Sequence, residues 1–148
     1  MAVCCLVYSF ASVTAERRRQ LYTVVTGIIL SGIAATLLKH TVHRIRPYHM
    51  YPVIHHLGPG GGWSFPSGHT CDAFALATTI SLSFAGRNSS LWLVYWAVLV
   101  GVSRVYLGVH YPSDVLGGLS TGCGMAILGY LLVNFYYQPQ IKYDTGRP

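Results

Sequence analysis

Residues 115–137 read VLGGLSTGCGMAILGYLLVNFYY, a run without a single charged side chain. A helix of that length crosses a bilayer, and a span must satisfy its own backbone polar groups, as a helix does. Leu21–Leu38 (LYTVVTGIILSGIAATLL) is a second uncharged run of spanning length. Ala73–Gly86, with its lead-in Ser67–Asp72, reaches helix length, and Leu91–Ser103 is apolar up to Arg104. Residues 1–15 (MAVCCLVYSFASVTA) read as a further, short membrane helix, because a secretory signal would open on a basic segment that is missing here. The pattern predicts an all-α, polytopic membrane helix bundle of about five transmembrane helices. A polar loop rich in Gly, Pro and His, residues 40–69, separates the second helix from the third. The polar tail from Gln138 to Pro148 is expected to be loose.

Composition agrees with this reading. Of 148 residues, 52% are hydrophobic and 9% charged, whereas soluble domains carry about a quarter charged residues. Mean hydropathy is +0.43. The length suits a single domain, 1–148, and no internal repeat is visible. A net charge of +6 does not indicate nucleic acid, because no basic patch interleaves with a soluble fold. The four cysteines, Cys4, Cys5, Cys71 and Cys123, form no CxxC pair and read as small apolar residues rather than a disulfide framework. Gly118 and Gly122 form a GxxxG that permits close helix packing, within the chain or between copies, so a homo-oligomer stays open.

If the helices alternate, Arg17, Arg18, Arg19, Arg87, Lys142 and Arg147 share one end, and Lys39, Arg44, Arg46 and Arg104 share the other. Basic loops favour the cytoplasm, which puts the C-terminus inside and the 40–69 loop outside. With five spans the N-terminus is outside too.

Against this apolar background, three short pieces hold most of the chemistry: Lys39–Pro47 (KHTVHRIRP), Pro66–His69 (PSGH) and Ser103–Asp114 (SRVYLGVHYPSD). Ionisable groups in a membrane chain are costly and usually functional. In PSGH the proline suits a first helical turn and the glycine allows close approach of a ligand. The free amides of a helix start attract anions. Taken alone, PSGH reads as a simple turn before a helix. Lys39 closes a helix, where lysine often only snorkels. Arg46, before Pro47, has the planar fork that pairs with phosphate oxygens, and Arg44 is the alternative. His110 and Asp114 are four apart, so a carboxylate can orient an imidazole that acts as a nucleophile. An incidental helix-capping pair is the other reading.

Together the pattern K-x6-RP, PSGH, SR-x5-H-x3-D resembles the signature of the type 2 phosphatidic acid phosphatase (PAP2) superfamily, in its membrane lipid phosphatase branch. All three motifs match in order over residues 39–114. The resemblance makes residues 40–69 a catalytic loop. It implies that Lys39, Arg46 and Arg104 clamp a phosphate, with further hydrogen bonds from Ser67 and Gly68. It implies His110 as the nucleophile that becomes phosphohistidine, Asp114 as its orienting partner, and His69 as general acid and then base. Fixed cations then do what magnesium does elsewhere in phosphoryl transfer, so no metal and no cofactor are expected. The implied partners are a lipid phosphate substrate and membrane lipids. The expected activity is hydrolysis of a lipid phosphate or diphosphate at the outer face of the cell membrane. Undecaprenyl diphosphate is the leading candidate, and phosphatidylglycerophosphate and phosphatidic acid are the alternatives. A non-catalytic membrane protein that binds phosphate lipids, a vanadate-holding site and a small transporter are runners-up.

Members of the family commonly look like six-helix proteins, and only about five spans are visible here. His40, His43, His49, His55 and His56 fit no closed zinc site and are expected at the substrate mouth. Asp72 is read as a helix polar contact, and Trp63 and Phe65 as loop anchors at the interface.

Overall fold

The computed structural model describes residues 14–144 apart from 56, 59 and 85, with side chains described as far as Tyr137. The expected span over residues 1–15 falls almost wholly outside the described residues. Four long helices and one short turn follow: α1 (Ala15–Val42), α2 (Pro47–Met50), α3 (Gly68–Ser83), α4 (Arg87–Tyr106) and α5 (Pro112–Asp144). Among the described residues there is no strand.

Each helix starts and stops for a local reason. Thr14 caps α1 by accepting the Arg17 amide, and Glu16 favours the positive end of that helix. Its C-terminus closes on His43 in the left-handed region, φ 48°. Pro47 opens α2 and Pro112 opens α5. The Asp114 carboxylate reaches back to the Tyr111 amide (2.9 Å), a reciprocal cap at the start of α5. That helix continues past Tyr137 to Asp144, where the sequence suggests a loose tail. A helix already under way adds one hydrogen bond for each residue it fixes, which lets polar residues extend it, although Pro139 has no N–H to add.

The central element is α3, which packs against α1, α4 and α5, while α1 also packs on α5. Thr70, Cys71, Ala73, Phe74, Ala75, Ala77 and Thr79 are buried on it. By contrast α1, α4 and α5 turn large apolar side chains outward, including Val25, Ile29, Ile33, Leu99, Val102 and Leu131. Among the described residues, three segments, Ala15–Met50, Arg87–Tyr106 and Pro112–Tyr137, are long and apolar enough to cross a membrane. At about 1.5 Å per residue α3 measures about 24 Å, short of the roughly 30 Å hydrocarbon core. Its neighbours enclose it, so it need not meet lipid all round.

Small residues set the helix spacing. A Cβ on Gly118 would lie 2.8 Å from the Ser67 carbonyl oxygen, and one on Gly122 would run into the Cys71 carbonyl. The GxxxG is therefore used inside the chain, between α5 and α3. On the α1–α5 crossing a Cβ on Gly129 would lie 2.9 Å from the Gly27 nitrogen. At the far end Gln20 donates to the Ser83 carbonyl (2.8 Å) and Arg19 to Asn134 (2.8 Å), joining α1 to α3 and α5.

Gly122→Ala should destabilise the protein by about 1–3 kcal/mol, the usual range for overpacking. Gly124→Ala, whose Cβ meets nothing within 4 Å, should leave stability unchanged. Thermal unfolding in detergent, followed by loss of the monodisperse peak, compares the two.

Candidate active site

The end of α1, the 43–67 loop, the start of α3, the end of α4 and the start of α5 meet at one end of the bundle. Their junction is Asp114, which has no exposed surface. A buried carboxylate must be paired and hydrogen-bonded, and this one is. Arg44 Nη1 donates to Oδ1 at 2.8 Å, the Tyr111 amide donates to Oδ2 at 2.9 Å, and the Ser64 hydroxyl donates a short bond to Oδ2. His110 Nδ1 lies 3.5 Å from the same Oδ2 and 3.5 Å from Ser64 Oγ. The backbone carbonyl of Asp114 accepts the Ser67 amide at 3.0 Å, which ties the PSGH turn to α5. Arg44 is held in turn by Ser113 Oγ (2.7 Å) and lies over the Tyr111 ring, 4.1 Å from its centroid.

Arg46 is 6% exposed and extensively bonded. Its Nε donates to the Gly62 carbonyl (3.1 Å), Nη2 to Gly61 (2.7 Å) and Nη1 to Val109 (3.0 Å). Nη1 also lies 3.4 Å from His110 Nε2. Arg46 thus straps the glycine loop to the His110 segment. Gly62 turns there at φ 61°, a conformation that costs glycine little.

The opposite side of the site is formed by α3. Ser67 is its N-cap, no side chain caps the helix, and the amides of Gly68, His69 and Thr70 occupy the first turn, where no partner four residues back exists. Lys39 Nζ stands 3.9 Å from the position a Cβ would take on Gly68. His69 is exposed, and Arg104, Asp72, His110 and Lys39 are all close enough to act on its imidazole electrostatically. Arg104 donates from Nε to Ser103 Oγ (3.1 Å), which leaves its terminal nitrogens without a protein partner among the described residues. Both histidines, Lys39, Arg46, Arg104, Ser67, Gly68 and Asp114 therefore come together. Two of the sequence-derived candidates, however, are already partly committed. The Ser67 amide serves Asp114, so only its hydroxyl proton is open, with Thr70 Oγ1 donating to that oxygen (2.9 Å). Four of the five N–H groups of Arg46 face protein atoms.

Sequence reasoning missed Ser64 and left Arg44 as an alternative. Arg44 carried a signal, a second arginine two residues before Arg46. Ser64 carried none, because its role exists only once Asp114 is buried. Of the loop aromatics, Trp63 meets the His43 ring edge-on (4.6 Å between centroids) and the Phe65 ring fills the space beside Gly117. Asp72 is exposed one turn beyond His69 and is felt electrostatically by it and by Lys39. Among the described residues, no three His, Cys, Asp or Glu side chains converge as metal ligands.

The family model of the PAP2 superfamily matches residues 20–138. The chain belongs to the PAP2 superfamily. Undecaprenyl-diphosphatase BcrC of Bacillus subtilis is 36% identical over 123 residues, covering 82% of this chain and 60% of the relative. Lipid A 1-phosphatase of Rhizobium etli is 34% identical over 108 residues, covering 70% of this chain and 46% of the relative. The chain thus spans about half the length of the curated relatives it matches. Among solved structures, Aquifex aeolicus LpxE superposes with a TM-score of 0.72 at 29% identity, covering 86% of this chain and 74% of that one. A transmembrane PAP2-type phosphatidylglycerolphosphate phosphatase from Bacillus subtilis gives 0.61 at 30% identity, covering 78% and 58%. With its apolar spans, this PAP2 chain is a membrane protein.

Arg46→Lys cannot reproduce the three-carbonyl fork. Each buried hydrogen bond lost costs about 1–3 kcal/mol, so the 58–62 loop should open about tenfold more often or beyond. Limited proteolysis of the detergent-solubilised protein would register this as faster cleavage in that loop.

Proposed function

We propose that this protein is an integral membrane lipid phosphatase that hydrolyses a lipid phosphate or diphosphate through a phosphohistidine on His110. The observation that carries the reading is the pairing of a buried His110–Asp114 dyad with an uncapped helix start at His69, with Lys39 and Arg104 beside it. In the first half-reaction His110 Nε2 attacks phosphorus, the bond to the leaving oxygen breaks, and His69 protonates that oxygen. In the second, His69 takes a proton from water, the hydroxide attacks phosphorus, and the N–P bond breaks. Developing charge on the phosphoryl oxygens is met by Lys39, Arg104, the field of Arg46, the amides of Gly68 and its neighbours, and the Ser67 hydroxyl. These fixed charges support a metal-independent reaction.

Undecaprenyl diphosphate is the leading substrate, supported by an undecaprenyl-diphosphatase relative that aligns with 82% of this chain. Phosphatidylglycerophosphate and phosphatidic acid are the alternatives, and lipid A 1-phosphate joins them through the Rhizobium etli relative. Release of inorganic phosphate from this panel, with EDTA present, tests the proposal. Activity on at least one lipid should survive EDTA, and His110→Ala and His69→Ala should each reduce it by about 10³-fold or more. Equal release by His110→Ala and wild type would sink the enzyme reading, and complete loss in EDTA would sink metal independence.

The site is proposed to face the extracytoplasmic side, because Arg17, Arg18, Arg19 and Arg87 occupy the opposite end. In cells expressing a chain with its own cysteines replaced, a membrane-impermeant maleimide should label His49→Cys and leave Asn88→Cys unlabelled. The reverse pattern would invert the topology.

A further inference from the structure

We propose that Ser64 helps to set the tautomer of His110, sharing the Nδ1 proton with Asp114; the inference rests on the phosphatase reading above. Three groups form a buried triangle: Ser64 Oγ, Asp114 Oδ2 and His110 Nδ1. Ser64 and Asp114 have no exposed surface and His110 is 4% exposed. A serine hydroxyl owns one proton. Its short bond to Asp114 Oδ2 assigns that proton to the carboxylate, which accepts and cannot donate when ionised. The lone pairs of Ser64 Oγ then face His110 Nδ1 at 3.5 Å.

The other ring nitrogen makes the same assignment independently. Arg46 Nη1 lies 3.4 Å from His110 Nε2, and a guanidinium only donates. Nε2 must therefore be the acceptor, and in a neutral imidazole the proton sits on Nδ1. Asp114 does not fix this alone. Its Oδ2 and Ser64 Oγ stand equally far from Nδ1, 3.5 Å each, and Oδ2 also accepts from Ser64 and from the Tyr111 amide. Arg44 and Ser113 secure the carboxylate from the far side, through Oδ1 and the guanidinium. The Nδ1 proton is therefore shared between Ser64 Oγ and Asp114 Oδ2, while Ser64 O–H is bound to the same carboxylate oxygen.

This tautomer puts the lone pair on Nε2, where the weak Arg46 contact at 3.4 Å must give way as the N–P bond forms. When that bond forms, Nδ1 keeps its proton, the ring becomes cationic, and the positive charge is met by Asp114, directly and through Ser64. Hydrolysis of the N–P bond returns the neutral ring with its proton still on Nδ1. Ser64 is a positioning residue in this scheme, since it touches the nucleophile and never the phosphate.

The test is ¹⁵N-histidine labelling of the full chain in detergent micelles, with the His110 ring signals assigned by their loss in His110→Gln. Long-range proton–nitrogen correlations distinguish the two tautomers. Wild type should show His110 as the Nδ1–H form. Ser64→Ala should add a clear Nε2–H population and lower kcat by about 10- to 100-fold, with KM changed less than about threefold. Ser64→Cys, close in size, gives the same comparison if the alanine variant does not fold. A wild-type His110 in the Nε2–H form overturns the proposal, as does an unchanged tautomer in the variants whatever their activity. The nitrogen spectrum needs no turnover. Failure of wild type to release phosphate therefore counts against the phosphatase reading, and the tautomer result decides this one.

Discussion

A carboxylate sealed from solvent cannot remain charged without donors around it, and the architecture of this site follows from supplying them to Asp114. The donors come from distant parts of the chain: Arg44 from the segment after α1, Ser64 from the glycine loop, and Tyr111 and His110 from the turn before α5. None of the three segments is regular secondary structure, so helix packing alone would not fix their relative positions. The buried charge does, because any arrangement that withdraws a donor leaves an uncompensated anion. Breaking one partner of such a buried set costs several kcal/mol, typically about 3–5. Irregular backbone at the end of a membrane bundle is thereby held as firmly as the helices beside it.

Helix packing then delivers the second half of the site to the first. In a membrane, apolar burial gives little preference for one helix pairing over another, and close backbone contact through small residues takes over. Gly118 and Gly122 bring α5 against the Ser67–Ala75 stretch of α3. At the first of these contacts the Ser67 amide reaches the Asp114 carbonyl. The glycines that set the helix spacing are thus within one or two turns of the residue that organises the chemistry. The open first turn of α3 is aimed at the space before His110 as a consequence of that spacing.

Much of this was legible in the chain. The apolar runs marked α1, α3, α4 and α5, and three motifs named the histidines and cations that the fold brings together. Those features depend on local composition and on residue type at fixed spacing, which a sequence displays directly. Ser64 and Arg44 were harder because satisfying Asp114 is an accounting problem in three dimensions. A serine two residues before PSGH looks like any loop serine until a buried carboxylate accepts its hydroxyl proton. The commitment of the Ser67 amide was hidden for the same reason: its acceptor, the Asp114 carbonyl, is 47 positions along the chain. Likewise, nothing local distinguishes an arginine that grips a ligand from one that grips loop carbonyls, and Arg44 and Arg46 differ mainly in what surrounds them.

That difference divides the work of the cations. Arg46 gives its directional bonds to Gly61, Gly62 and Val109. Those carbonyls are neutral, so they use its hydrogens without cancelling its charge. In a buried setting of low effective dielectric, a fixed unit charge acts over several ångströms with no further hydrogen bond. Lys39, at the end of α1 with its Nζ beside the start of α3, and Arg104, with open terminal nitrogens, are the cations whose donors can still move onto an anion. One preorganised charge that cannot rearrange, and two that can, is a division suited to a phosphoryl group whose oxygens shift as the bond to the leaving group lengthens. In the proposed reaction the immobile charge would favour the region in front of His110 throughout, and the mobile pair would follow the oxygens.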